Sequence, residues 1–166
     1  MLDVFDFARH GRTLEGCEPI VAYRRFVADL PQQQDSPVQW HLEGWADGQG
    51  QLFLQVTVTA QPWVVCQRCM QPMAWPVHSV SRFHLVRSEA ELDLEDDLDD
   101  PDSPEALVGS TRFDVQSLVE DELILAVPYV PRHQECPSLP PVQEADESPV
   151  EKRPSPFAVL RQLKKD

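Results

Sequence analysis

The chain has 166 residues, 42% of them hydrophobic and 25% charged, with 16 prolines against 6 glycines and a formal net charge of −14. This is the size of one domain with a real core. No apolar run approaches the roughly 20 residues of a membrane helix, and the acidity argues against a simple polycationic clamp on nucleic acid.

The charge is uneven. Residues 1–87 hold eight acids and seven bases, residues 88–106 hold ten acids and no base, and residues 107–166 hold ten acids and seven bases. One acidic run therefore supplies most of the imbalance. The first residues, MLDVFDFARHGRT, lack a basic region followed by an apolar core and do not read as a signal peptide. Four cysteines are too few for a secreted disulfide scaffold of this length. The expectation is a soluble, cytoplasmic protein.

Leu2, Phe5 and Phe7 form a short apolar segment before RHGRTLEG. In IVAYRRFVADL, Ile20, Tyr23, Val27 and Leu30 have helical spacing, and LPQQQDSP follows as a loop. The middle reads as sheet. Val38, Trp40 and Leu42 alternate with polar residues, ADGQG supplies a turn, and Leu52, Leu54, Val56 and Val58 share one face of a half-buried strand. WVVC continues it after Pro62. Trp75, Val77, Phe83 and Leu85 share the parity of another strand. Three or four antiparallel strands would form a meander with one packed and one wet face. Trp40 and Trp45 belong to the core on this reading; on the wet face they would offer stacking surfaces.

Residues 88–106 are acidic and read as a solvated, solubilising insertion. A docking surface for a basic partner is the alternative. In FDVQSLVEDELILAVP, Asp114 caps a helix whose apolar stripe is Val115, Leu118, Val119, Leu123 and Ala126, and Pro128 stops it. Glu120 and Asp121 fall on a solvated face. Glu122 lies beside the stripe, at an exposed edge or, if covered, with a partner such as Arg68. Eight prolines lie between 128 and 156, so PYVPRHQECP is a stiff extended arm and the residues beyond it a linker. The chain closes on a basic amphipathic element, SPFAVLRQLKKD, which either docks on its own domain or serves as a linear motif for RNA or a ribosomal protein.

Three pieces stand in order: CQRCMQP after a strand, LVEDELILAVPYVPRHQEC as a helix leaving into a proline-rich arm, and the terminal SPFAVLRQLKK. Together with FARHGRTLEG and AYRRFV near the start, they resemble the bacterial YceD family, the large ribosomal RNA subunit accumulation proteins. The resemblance spans about residues 5 to 165. It implies a role in accumulation of 23S ribosomal RNA and a gene next to that of a large-subunit ribosomal protein. It implies an assembly or processing factor that acts by binding, not an enzyme, and it supplies no catalytic residues.

The cysteines leave three readings open. Small packed thiols are the simplest. A closed, structural Cys3His zinc site would take Cys66 and Cys69 with His133 and Cys136, and would pin the arm to the sheet. A redox pair would need a helix N-terminus in a βαβ context, and Cys66 and Cys69 instead follow a meander. Cys17 has no partner nearby and reads as a core thiol. No phosphate loop, nucleophile elbow or calcium loop is present in the sequence, and no small-molecule substrate is implied.

The expected architecture is one α+β domain over residues 1–136: an antiparallel meander packed with helices, with the 88–106 acidic insertion. Residues 137–166 form a proline-rich linker with a flexible basic C-terminal motif. The expected partner is 23S rRNA or its precursor, met by Arg24, Arg25 and Arg68. The alternative is an acidic escort for a basic large-subunit ribosomal protein.

Overall fold

The computed structural model describes residues 1–91 and 104–137. The chain starts with helix α1 (Val4–Arg9), capped by Asp3, whose carboxylate accepts from the Phe5 and Asp6 N–H groups. Strand β1 (Thr13–Pro19) follows, then a 3-10 turn (Ile20–Ala22) and a single helical turn α2 (Arg24–Val27). Strands β2 (Pro37–Ala46) and β3 (Leu52–Ala60) form a hairpin across the ADGQG turn. A small hairpin, β4 (Trp63–Val65) and β5 (Pro72–Ala74), interrupts the sheet before β6 (Val77–Val86). Strand β7 (Glu105–Val108) and helix α3 (Val115–Ala126) complete the described fold.

The main sheet has five strands in the order β1-β2-β3-β6-β7. All pairs are antiparallel except β6–β7, which is parallel. The α+β architecture is as expected, but the sheet is more than a meander. WVVC does not extend β3; it belongs to the separate two-stranded hairpin. Glu105 and Ala106, counted with the acidic insertion, open strand β7. Residues 92–103 of that insertion and residues 138–166 of the tail lie outside the described residues.

Alternation dictates the burial. Val38 and Leu42 of β2, Leu54, Val56 and Val58 of β3, and Val77, Phe83 and Leu85 of β6 point to one face. Helix α1 covers the β2–β3 end of that face with Val4, Phe7 and Ala8, and α3 covers the β3–β6 side with Leu118, Val119 and Leu123. Ile20, Tyr23 and Phe26 fill the remaining corner. Gly44 permits the close approach of α1, since a Cβ there would lie 2.8 Å from both the Ala8 Cα and the Phe7 ring. Asp114 caps α3 as its sequence predicts, accepting from the Gln116 and Ser117 N–H groups.

Five expectations need correction. Trp45 is half-buried on the face of the sheet that no described helix covers, rather than in the core, because its position in β2 has the opposite parity to Val38 and Leu42. IVAYRRFVADL is not one helix but a 3-10 turn and a single α-turn bent around Tyr23. Cys17 is exposed on β1 rather than in the core, because that edge strand turns its odd positions outward. Glu120 is buried rather than solvated, because α2 packs on that flank of α3. Glu122 is also buried; its partners are the Ser79 and Ser81 hydroxyls, which both donate to Oε2 at 2.7 and 2.6 Å, not Arg68.

Candidate metal centre

The β4–β5 hairpin is built to present a sulfur pair. Val65 pairs with Pro72, and between them the Cys66 N–H donates to the Gln71 carbonyl at 3.0 Å. The Met70 N–H donates back to the Cys66 carbonyl at 2.9 Å, with Met70 in the left-handed region at φ 59°. This tight turn holds Cys66 and Cys69 on one side of the knuckle. The hairpin itself is braced by Gln33, whose side-chain amide donates to the Trp63 carbonyl and accepts from the Trp63 N–H, both at 2.9 Å, as a neighbouring strand would.

The second pair arrives with the proline-rich arm. Pro128 prevents α3 from continuing, and the chain passes the knuckle not as the expected straight extended arm but through bends at 129–130 and 134–135. There the Gln67 N–H donates to the Pro131 carbonyl at 2.9 Å, and the His133 N–H points at the Cys66 sulfur at 3.4 Å. His133 and Cys136 thereby meet the knuckle across more than sixty residues of sequence. The four side-chain ligand atoms of Cys66, Cys69, His133 and Cys136 all lie within 4.8 Å of one another.

The distances bear on the metal reading. Cys66 Sγ lies 3.8 Å from Cys136 Sγ. Cys69 Sγ lies 3.4 Å from His133 Nδ1. Zinc bonds of about 2.3 Å to sulfur and about 2.0–2.1 Å to nitrogen, at tetrahedral angles, put two sulfurs about 3.8 Å apart and sulfur and nitrogen about 3.6 Å apart. These two edges lie close to those of a tetrahedron of that size. Packing of small thiols alone accounts for Cys66, which is buried, but not for the half-buried Cys69 and Cys136 converging with an imidazole. The Cys3His group can hold a metal ion, and with four protein ligands it would leave no position open.

The electrostatics suit a cation. Burial acts to raise the Cys66 pKa, but N–H groups of Cys69, His133 and Arg68 aimed at the sulfur outweigh it and bring it down to about 5. Cys136 moves the other way. Burial and its sulfur neighbours hold it above the ordinary thiol value against the pull of Arg68. The Arg68 Nε donates to Cys136 Sγ at 2.9 Å, and this contact raises the guanidinium pKa in turn. Three thiolates and a neutral imidazole around a divalent ion carry a net charge of −1, and Arg68 sits where it offsets that charge.

The three arginines expected at RNA do different work. Arg25 is held by α3: its N–H and Nε donate to Glu120 at 2.6 and 2.8 Å, Nη1 donates to Asp121 at 2.9 Å, and Nη2 reaches Ser117. Arg68 faces Cys136. Arg24 is exposed and makes no side-chain hydrogen bond or ion pair among the described residues. Sequence reasoning named the four residues of this group but missed what brings them together, since a backbone hydrogen bond such as Gln67 to Pro131 leaves no side-chain signature.

Comparison with known proteins adds the decisive observation. The sequence pattern of the large ribosomal RNA subunit accumulation protein YceD matches residues 54–164, from strand β3 through the arm and beyond. The chain belongs to the YceD family. A relative in Haemophilus influenzae, named large ribosomal RNA subunit accumulation protein YceD, is 33% identical over 133 residues, 78% of this chain and 75% of its own. No solved structure gives a significant match. All four residues of the Cys3His group fall within the YceD match. Among the described residues, no helix is long and apolar enough to cross a membrane.

Proposed function

We propose that this YceD protein is a non-enzymatic factor in biogenesis of the large ribosomal subunit, promoting synthesis, processing or accumulation of 23S rRNA by binding rRNA in the cytoplasm. The observation that carries this reading is membership of a family described by large ribosomal RNA subunit accumulation, over two thirds of the chain. Arg24 is available to phosphates, and Arg25 and Arg68 offer RNA only the N–H groups that their protein partners leave. The body, residues 1–136, supplies the folded surface, and residues 137–166 supply a linker and a basic motif for a second contact.

In the same reading the Cys3His group holds a structural zinc ion. Cys66, Cys69, His133 and Cys136 bind it, Arg68 offsets its charge, and it fastens the arm to the hairpin. Its contribution is folding energy rather than chemistry.

The test is complementation. In a Haemophilus influenzae strain lacking the relative, expression of this chain should restore the ratio of 23S to 16S rRNA. A strain whose 23S content falls without the relative and stays low with this chain, expressed and soluble, would overturn the assignment.

A further inference from the structure

The sheet has a second face that no helix of the described residues covers. On β2, β3 and β6 the outward residues, from Gln39 to Trp45, Phe53 to Thr59 and His78 to His84, are all exposed or half-buried. They stand in rows set by the strand register. At one end, Trp45 pairs with Phe53 and Phe53 with His84. The Trp45 and Phe53 rings are 5.5 Å apart and inclined by 15°, and the His84 ring is 5.2 Å from Phe53. In the next row, Glu43, Gln55 and Arg82 are register partners, and the Arg82 Nε donates to Gln55 Oε1 at 2.8 Å. Beyond these rows a cleft of about 530 Å³ opens around His41 and Thr57.

We infer that this open face is a platform for single-stranded RNA, whose unpaired bases stack on Trp45, Phe53 and His84 and whose base edges meet Gln55 and Arg82. The inference rests on the reading that the protein acts on ribosomal RNA, and it moves the contact away from the arginines of α2 and the knuckle. The composition of the face selects the partner. Rings interleaved with amide, guanidinium and hydroxyl groups leave no continuous apolar patch of the kind that forms the centre of a protein interface. Planar rings beside planar hydrogen-bonding groups are what splayed bases require. Duplex RNA hides those bases, so it is excluded. The face carries Glu15 and Glu43 against Arg82, so phosphate neutralisation contributes little. Stacking dominates, and the salt dependence is shallow.

The experiment uses the full chain and a fluorescein-labelled, mixed-sequence RNA of about twelve nucleotides, single-stranded or annealed to its complement. The single strand should bind at least about tenfold more tightly than the duplex, with a salt slope of about one or two phosphates. Phe53→Leu and Trp45→Leu, each checked for native circular dichroism, should each weaken binding about tenfold. Ultraviolet crosslinking of the unaltered protein, which needs no variant to fold, should map to β2 and β3. Variants with unchanged affinity, crosslinks confined to other elements, preference for duplex, or no binding by the unaltered chain would each overturn the platform. Capture of a large-subunit ribosomal protein that Phe53→Leu abolishes would replace RNA by protein as the occupant. The two readings fail separately: Phe53→Leu and Trp45→Leu chains that bind single-stranded RNA as tightly as the unaltered chain sink the platform, while restoration of 23S rRNA by the unaltered chain leaves the function standing.

Discussion

Glu120 shows how much a single side chain decides here. Its carboxylate accepts from the Arg25 and Phe26 N–H groups at 2.6 and 3.2 Å and from the Arg25 Nε at 2.8 Å, so it fastens α2 to α3. Burial alone would raise its pKa, but these donors win and hold it below the ordinary carboxylate value. A carboxyl whose folded pKa is depressed stabilises the fold above its unfolded value, about 4.3 for Glu. That contribution disappears as the pH falls through the lower, folded value. Glu120→Gln should therefore cost about 1 kcal/mol at pH 7, discounted for the half-exposed arginine. The gap between variant and unaltered protein should close below about pH 4. Urea midpoints across pH 3–7 check this, and a gap that persists at pH 3 would show that packing, not charge, is what was lost. Nothing in the sequence separated Glu120 from a solvated glutamate. The apolar stripe marks one face of α3, and the α2 turn that covers the neighbouring flank is made by residues almost a hundred positions away.

Elements with a strong period were legible, and those without one were not. β2, β3 and β6 alternate, and α3 repeats its apolar residues at helical spacing, so each was readable where it stands. β1 was not, because TLEGCEP is an edge strand whose exposed side chains carry no pattern. β7 was hidden by the acidic residues running into it, and its four residues pair in parallel with a strand nineteen positions back in sequence from its own start. The ligand set of the candidate site was legible as two pairs. Their meeting was not, because it depends on where α3 ends in space. Gly16 of β1 has a role that sequence alone does not reveal. It pairs with Trp40, and a Cβ there would fall 2.4 Å from the indole ring. Gly16→Ala should displace the indole and destabilise the protein by about 1–3 kcal/mol. Thermal melts with tryptophan emission as the readout test this, and an unchanged midpoint would mean that the edge strand moves aside freely.

At the scale of the molecule, the Cys3His group ties residues 66–69 to residues 133–136. The knuckle precedes β5, and the arm follows α3, so a metal ion would close a loop holding β5, β6, β7 and α3. Closing a loop of that length should raise the midpoint of thermal unfolding by roughly 10 °C. The protein purified without chelator should carry about one zinc per chain. Cobalt in its place should give thiolate charge-transfer and tetrahedral bands. Stripping the metal, or Cys136→Ser, should lower the midpoint and expose the 128–137 arm to protease while the sheet's circular dichroism survives. A chain that contains no metal after purification and is indifferent to chelator would remove zinc from the account.

The parallel pairing of β6 with β7 has one further consequence. Val86 ends β6 opposite Val108, while β7 begins at Glu105 opposite Phe83, so the chain must travel back about 11 Å to enter the strand. Residues 87–104 make that return. Six extended residues already reach roughly 20 Å. The sequence between Val86 and Glu105 is longer than that distance requires, so insertions or deletions there should leave every strand in register. A shortened chain must keep Glu105 and Ala106, because cutting to residue 106 removes the first half of β7, and what then fails is the sheet edge rather than the acidic segment.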